Sequence, residues 1–128
     1  MTEVPSELRY TRDHEWVRQG EDNTVRIGVT AHATEQLGDI VYVSLPTVGA
    51  QVAAGDSCAE LESTKSVSDV LAPVSGVVTA INDALADAPE AINAEPYGDG
   101  WLFEIEVDDP DEAASLLLDA AAYHALLD

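Results

Sequence analysis

Residues 59–76 read AELESTKSVSDVLAPVSG, and this stretch decides the fold of the chain. Apolar and polar residues alternate over 57–63 and again over 66–71, which predicts two β-strands. Thr64 and Lys65 lie between the two runs. The pattern therefore predicts a β-hairpin that carries Lys65 at its tip.

Further strands on both sides of this hairpin make the predicted fold mainly β. Thr30 can cap a short helix over 31–37, which Gly38 can end. Ile40–Leu45 is an apolar run that predicts a buried strand. The other predicted strands, with a hairpin loop over 20–23, are Glu15–Gln19, Thr24–Val29, Val77–Asn82 and Trp101–Val107.

The last twenty residues have a helical pattern. Asp109 is a suitable N-cap, Pro110 suits the first helical position, and Glu112 lies three residues after the cap. The run rich in alanine and leucine that follows predicts one or two amphipathic helices over about 110–127. We expect these peripheral helices to pack on the sheets.

The composition describes one ordinary domain with an extreme charge. The 128 residues are 46% hydrophobic, which predicts a single domain over 1–128. The chain has 25 Asp and Glu against 5 Lys and Arg, a net charge of −20. Such a surface repels nucleic-acid phosphates and anionic membranes. No apolar run approaches the roughly 20 residues of a membrane span, and residues 1–7 resemble no targeting segment, so we expect a cytoplasmic protein.

Lysine occurs at a single position. Four of the basic residues are arginines within the first 26 positions, and the fifth is Lys65. An acidic surface almost without lysine is typical of a salt-rich prokaryotic cytoplasm, where ions screen the self-repulsion. An acidic docking face is the alternative interpretation. A lysine kept against this background favours a chemical role over a weak surface ion pair.

The sequence offers no catalytic or metal site. It contains no nucleophile elbow, phosphate loop or dinucleotide fingerprint. His14, His32 and His124 lie far apart and have no metal-ligand spacing. Cys58, the single cysteine, has no basic neighbour and is expected to be a half-buried strand residue. We therefore expect a chain that is not an enzyme and has neither catalytic residues nor a metal.

Lys65 instead meets the requirements of a covalent attachment site. A modifying enzyme needs an exposed amine at a fixed tip, with small neighbours around which it can close. Ser63, Thr64 and Ser66 are small, and the two strands supply the rigid tip. A long lysine stem could then act as a tether that visits several partner sites in turn.

These residues resemble the lipoyl-attachment segment of the glycine cleavage system H protein family. The family pattern places a glutamate three residues before the lysine and a glycine eleven after it, as Glu62 and Gly76 lie here. The resemblance covers nearly the whole chain, including the His-Glu-Trp run at 14–16 and the segment Asn93–Trp101.

The resemblance implies a hybrid barrel-sandwich domain of the lipoyl/biotinyl type, with lipoate in amide linkage to Lys65 on the hairpin at about 57–71. The chain would carry the aminomethyl group from the PLP-dependent glycine decarboxylase to the tetrahydrofolate-dependent aminomethyltransferase. Dihydrolipoyl dehydrogenase would then reoxidise the arm. A lipoyl ligase or octanoyl transferase would attach it, with Glu62 as a possible recognition residue and Asp69 as a weaker candidate.

Three other functions remain open at the level of the sequence. A lipoate donor that relays lipoyl groups to 2-oxoacid dehydrogenase complexes would use the same Lys65. An unmodified acidic interaction module would not need Lys65 at all. A biotin carrier is disfavoured, because Thr64 and Ser66 occupy the places where that family has methionines.

The net charge of −20 generates the first testable prediction. We expect the melting temperature to rise by at least about 5 °C from low salt to molar KCl, because screening removes self-repulsion; about 1 kcal/mol gives such a shift in a domain of this size. Thermal unfolding followed by circular dichroism measures it. Sucrose at equal osmolality is the control, and a melting temperature independent of KCl would contradict the halophilic interpretation.

Overall fold

The chain forms two antiparallel β-sheets in a computed structural model that describes residues 4–20 and 23–127. The strands in these ranges are β1 (Arg9–Tyr10), β2 (Glu15–Gln19), β3 (Thr24–Val29), β4 (Ile40–Ser44), β5 (Gln51–Val52), β6 (Ser57–Ser63), β7 (Val67–Leu71), β8 (Gly76–Ile81) and β9 (Phe103–Val107). The larger sheet has the order β1-β2-β3-β9-β8-β5, and the smaller one has the order β4-β6-β7. The prediction of a mainly β fold is confirmed.

Short helices lie around the sheets. They are α1 (Ala31–Leu37), a 3₁₀ helix (Asp83–Ala86), α2 (Ala91–Ala94), α3 (Pro110–Leu116) and α4 (Ala120–Leu127). The Thr30 hydroxyl accepts from the Ala33 N–H at 3.3 Å, and Gly38 ends α1 with a φ of 82°, as predicted. No helix in the described ranges is long and apolar enough to span a membrane.

The predicted tail consists of two helices. Leu118 lies between α3 and α4, and its backbone exchanges two hydrogen bonds of 2.8 and 2.7 Å with the backbone of Tyr10. This bridge interrupts the helical run. The side chain of Glu112, predicted as part of the helix cap, lies outside what the structure describes. Residues 21–22 of the predicted loop over 20–23 are also outside the described ranges.

Three of the seven predicted strands have the observed bounds, and the other four deviate by one or two residues. β7 begins at Val67 because the N–H and the carbonyl of Ser66 both form hydrogen bonds with Ser63 within the turn. β9 begins at Phe103 because the Trp101 N–H donates to the Gly98 carbonyl in a turn at 3.1 Å. The elements that the sequence analysis missed are β1, β5, α2 and the 3₁₀ helix, all too short to show a periodicity.

The expectation that Ile40–Leu45 forms a buried strand is wrong in one respect. The register against β6 shifts between Ile40 and Tyr42, as in a β-bulge. A bulge adds an unpaired residue and re-aims its neighbours. Val41 and Tyr42 consequently are 49% and 60% exposed, while Ile40 and Val43 remain buried.

The main hydrophobic core draws on both sheets and so lies between them. Alternate residues of β9 face it, since Phe103, Ile105 and Val107 are all buried. Gly76 faces a tight contact, because a Cβ there would collide with the Glu106 carbonyl oxygen and the Ile105 side chain. Glycine is required at 76 because no side chain fits there, and not because of a positive φ.

A second core anchors α4 to the larger sheet. Tyr123 stacks on Tyr10 with ring centroids 4.6 Å apart, and its hydroxyl lies 2.8 Å from both the Thr30 hydroxyl and His14 Nδ1. Trp16 is fully buried beside them, as expected for a core aromatic. Because the Tyr123 hydroxyl has two hydrogen-bonding partners, it is not left unsatisfied when α4 buries it.

Glu15 joins the two sheets through a buried carboxyl group. Its Oε2 accepts from the Leu71 N–H at the end of β7 at 2.8 Å, and its Oε1 accepts from the Thr11 hydroxyl at 3.1 Å. Only 2% of the residue is exposed. Burial raises the pKa of Glu15 to about 7, against the lowering effect of these two hydrogen bonds.

This shift predicts how stability depends on pH. In the folded chain Glu15 has a pKa of about 7, whereas its ordinary pKa, which applies to the unfolded chain, is 4.5. The contribution of Glu15 to the free energy of unfolding therefore falls as pH rises from about 4.5 to 7. Relative to Glu15→Gln, which cannot ionise, the wild-type chain should lose up to about 3 kcal/mol of unfolding free energy over this range. Urea titrations at several pH values measure the difference. Glu60→Gln, at an exposed position, is the control, and a difference between wild type and Glu15→Gln that is constant with pH would contradict the prediction.

Candidate functional site

Lys65 lies at the tip of the β6–β7 hairpin, as the sequence predicts. The last paired residues of the ladder are Glu62 and Val67, so residues 63–66 form the turn. Lys65 is exposed there. Its side chain forms no salt bridge with any described residue. The amine is therefore accessible, and its charge is not needed to hold the hairpin together.

Ser63 fixes the shape of the turn. Its hydroxyl oxygen accepts from the backbone N–H groups of Lys65 at 3.1 Å and Ser66 at 3.0 Å. The same hydroxyl donates to the Ser66 carbonyl at 3.1 Å. Ser63 is 6% exposed, so this small polar group is buried with every hydrogen-bonding capacity used. The backbone at Lys65 is held rigid while the side chain remains outside.

The loop after α1 supports the tip from one side. The Thr64 N–H donates to the Asp39 carbonyl at 3.1 Å. The Lys65 stem lies over Gly38, where an added Cβ would be 3.1 Å from Lys65 Cε. Glycine at 38 thus serves two purposes, since its positive φ ends the helix and its missing side chain makes room for the lysine.

Asn93 on α2 clamps that loop. Its Nδ2 donates to the Gly38 carbonyl at 2.9 Å, and its Oδ1 accepts from the Ile40 N–H at 2.8 Å. Both ends of the amide are used, which fixes its orientation. The loop that lies under the Lys65 stem is thereby tied to a helix more than fifty residues away in sequence.

The two predicted carboxylates occupy different rows of the smaller sheet. Glu62 pairs with Tyr42 on one side and Val67 on the other, directly below the turn. Asp69 pairs with Glu60 two rows farther from the tip. Glu62 and Asp69 are both exposed. The structure therefore brings Glu62, but not Asp69, next to the Lys65 turn.

A cleft of about 230 Å³ opens at the other end of the hairpin, where β7 runs into Pro73. Its walls include Leu71, Arg12 and the buried Glu15. With a pKa of about 7, the Glu15 carboxyl can hold or release a proton near neutrality. The carboxyl group lies behind the cleft wall, because only 2% of Glu15 is exposed and both its oxygens accept hydrogen bonds within the chain.

The remaining candidate residues have structural surroundings. Cys58 is half-buried on β6, as predicted, and burial raises the pKa of its thiol to about 12, so it is not an activated nucleophile. Although His14 and His32 lie far apart in the sequence, the centroids of their rings are 4.6 Å apart. Burial and the neighbouring His32 lower the pKa of His14, while Asp13 opposes this shift. In the described ranges no group of three or more metal-ligating side chains forms.

The residues around Lys65 fit an attached acyl chain. The amine projects from a braced turn whose neighbours are two serines and a threonine, and acylation would remove a charge that has no described partner. The sequence predicts Lys65 and Glu62 as candidates but not the supporting roles of Ser63, Gly38 and Asn93. For Asn93, the only signal was its place in the family-like segment 93–101.

Comparison with known proteins identifies the family. The family model described as glycine cleavage H-protein matches residues 8–128. Proteins named glycine cleavage system H protein from Cronobacter sakazakii and from Escherichia coli K12 are each 56% identical over 128 residues, which is 100% of this chain and 98% of theirs.

A solved structure gives the same result at the level of the fold. The crystal structure of a glycine cleavage system H protein from Mycobacterium marinum is 44% identical, covers 95% of this chain and 97% of its own, and superposes with a TM-score of 0.83. This likeness confirms the prediction of a lipoyl-domain-like fold. On the matches in sequence and in structure, the chain belongs to the glycine cleavage H-protein family.

Proposed function

We propose that the chain is the lipoylated shuttle of a glycine cleavage system and that Lys65 carries the lipoyl group in amide linkage. The observation that carries this proposal is the position of the only lysine, exposed at the tip of a braced hairpin. Family membership supports it, because the segment that resembles the lipoyl-attachment motif is the one that forms this hairpin.

When bound, lipoate supplies a disulfide that can accept a carbon group with two electrons and be regenerated by oxidation of the dithiol. The residues of the chain hold and orient the attachment point for this group. Ser63 keeps the turn rigid, and Gly38 makes room for the stem. A rigid base with a long flexible arm raises the local concentration of the attached group at each partner.

The partners that follow from this proposal are the PLP-dependent glycine decarboxylase, the tetrahydrofolate-dependent aminomethyltransferase and dihydrolipoyl dehydrogenase. The chain carries the aminomethyl group from the first to the second and contributes no catalytic residue of its own. A cytoplasmic, salt-rich location agrees with the bacterial relatives and with the net charge of −20.

A second part of the proposal concerns Glu62. Its carboxylate is exposed immediately below the turn and has no described salt-bridge partner, so a modifying enzyme can use it as a recognition group. Asp69 lies two rows farther away and is proposed only as part of the solvated surface.

Substituting Lys65 tests the attachment site. Lys65→Arg should abolish incorporation of lipoate, seen as loss of the mass gain of one lipoyl group, while circular dichroism and melting temperature stay unchanged because the side chain is exposed. Intact mass and peptide mapping of protein from its native cell give the wild-type reference.

A relocated lysine is the matched control for that variant. Lys65→Arg combined with Gln51→Lys restores a lysine at an exposed position on β5. We expect no lipoylation of this double variant, because the hairpin tip is what the enzyme requires. An unmodified Lys65 in cells that lipoylate other proteins would contradict the proposed function.

Glu62→Gln tests recognition. We expect a three- to tenfold lower kcat/KM for lipoylation of Lys65, the loss of about 1 kcal/mol that an exposed charge contact gives. Glu60→Gln removes the same charge from the same face of β6 two rows away and is the matched control. Equal effects of the two variants would show that only net charge matters.

A further inference from the structure

Large apolar side chains are exposed beside the Lys65 turn. In the described ranges, five large apolar residues are exposed, and three of them lie on the strands of the smaller sheet. These three are Val41 at 49%, Tyr42 at 60% and Val67 at 59%. Single exposed apolar residues are ordinary, whereas a group of them rimmed by polar residues marks an interaction surface.

The pairing of the strands places two of them in one row with Glu62. Glu62 on β6 pairs with Tyr42 on β4 and with Val67 on β7, and directly opposed residues point to the same face of a sheet. We call these three residues the tip row. It is the last paired row before the Lys65 turn.

The β4 bulge contributes to this surface. Without the register shift between Ile40 and Tyr42, strict alternation would not leave Val41 and Tyr42 exposed together. The smaller sheet thus presents an aromatic ring, a carboxylate and a branched apolar side chain in water, on a chain whose surface is otherwise dominated by acidic groups.

We propose that the tip row is the docking surface for the enzyme that attaches lipoate to Lys65. The partner surface that fits it has an apolar pocket for Tyr42 and Val67 and a basic group facing Glu62. This inference rests on the proposed function, since it requires that Lys65 is acylated.

The position of the row selects this occupant over the later partners. The unmodified amine extends only one four-carbon stem from the turn, so an enzyme that brings it to an activated acyl group must cover the residues next to the turn. A partner that receives the finished arm meets a much longer tether and can make its contacts elsewhere. Tyrosine at the centre of an interface is also a frequent source of binding energy.

The chemistry at the docked amine needs one activated co-substrate, a lipoyl adenylate made from lipoate and ATP. The lone pair of Lys65 Nζ attacks the acyl carbon and forms the amide C–N bond. The C–O bond to the phosphate of AMP breaks, AMP leaves with that electron pair, and Nζ releases a proton to solvent. Nothing is oxidised or reduced.

Steady-state lipoylation of the unmodified full-length chain by a purified bacterial lipoate–protein ligase, with lipoate, ATP and Mg²⁺, tests the proposal. Tyr42→Ala should raise the KM for the chain at least tenfold and Val67→Ser about threefold, with kcat within twofold of wild type, because the row binds the enzyme without touching the reacting atoms. The melting temperatures of both variants should match wild type, since both side chains are mostly in water.

Val48→Ser is the matched control, because Val48 is 54% exposed but lies beyond the far end of β4. Its KM should be unchanged. Calorimetry provides a second readout without turnover: Tyr42→Ala in the Lys65→Arg background should bind the ligase at least tenfold more weakly than Lys65→Arg alone.

The outcomes separate this inference from the proposed function. No acylation of the wild-type chain at Lys65 overturns the proposed function and the inference with it. Acylation of all variants with the wild-type KM overturns the docking surface and leaves the attachment site standing. A raised KM for the aminomethyltransferase alone assigns the row to a later partner, and altered sedimentation of Tyr42→Ala assigns it to a second copy of the chain; each overturns the inference.

Discussion

The pleat of β6 is the constraint on which the site depends. Ala59, Leu61 and Ser63 face the interior and are buried, while Glu60 and Glu62 alternate with them and face water. The same strand therefore fastens the hairpin to the core and exposes its outer face to solvent. A slip of one residue would exchange the two sets, burying two carboxylates and removing Ser63 from the turn that it braces.

The local parts of this arrangement could be predicted from the sequence. Alternation over 57–63 and the single lysine placed the hairpin and its tip, and the Thr30 and Gly38 signals placed α1 with its observed bounds. Each of these signals acts within one turn or one strand, where spacing and residue type suffice. The fold class followed from the number of such segments and from the family resemblance.

The parts that could not be predicted depend on contacts between distant segments. Asn93 reaches the Gly38 loop across 55 residues, and His14 meets Tyr123 across 109. An asparagine in a short helix or a histidine in a loop has no local pattern that reveals its partner. The β4 bulge is similar, because an apolar run predicts burial and only the register against β6 exposes Tyr42.

The depletion of lysine links the charge of the chain to its proposed chemistry. With 25 acidic residues, the surface attracts basic partners over its whole extent, so exposed ion pairs give little positional selectivity, and molar salt would screen them further. Apolar contacts such as those of Tyr42 and Val67 do not lose strength in this way. A single lysine also leaves one side-chain amine for an acylating enzyme to find, so a surface without other lysines makes the hairpin tip chemically unique. In the proposed docking, the acidic composition and the exposed apolar row act together: residue type selects the amine, and shape, more than charge, brings the enzyme to it.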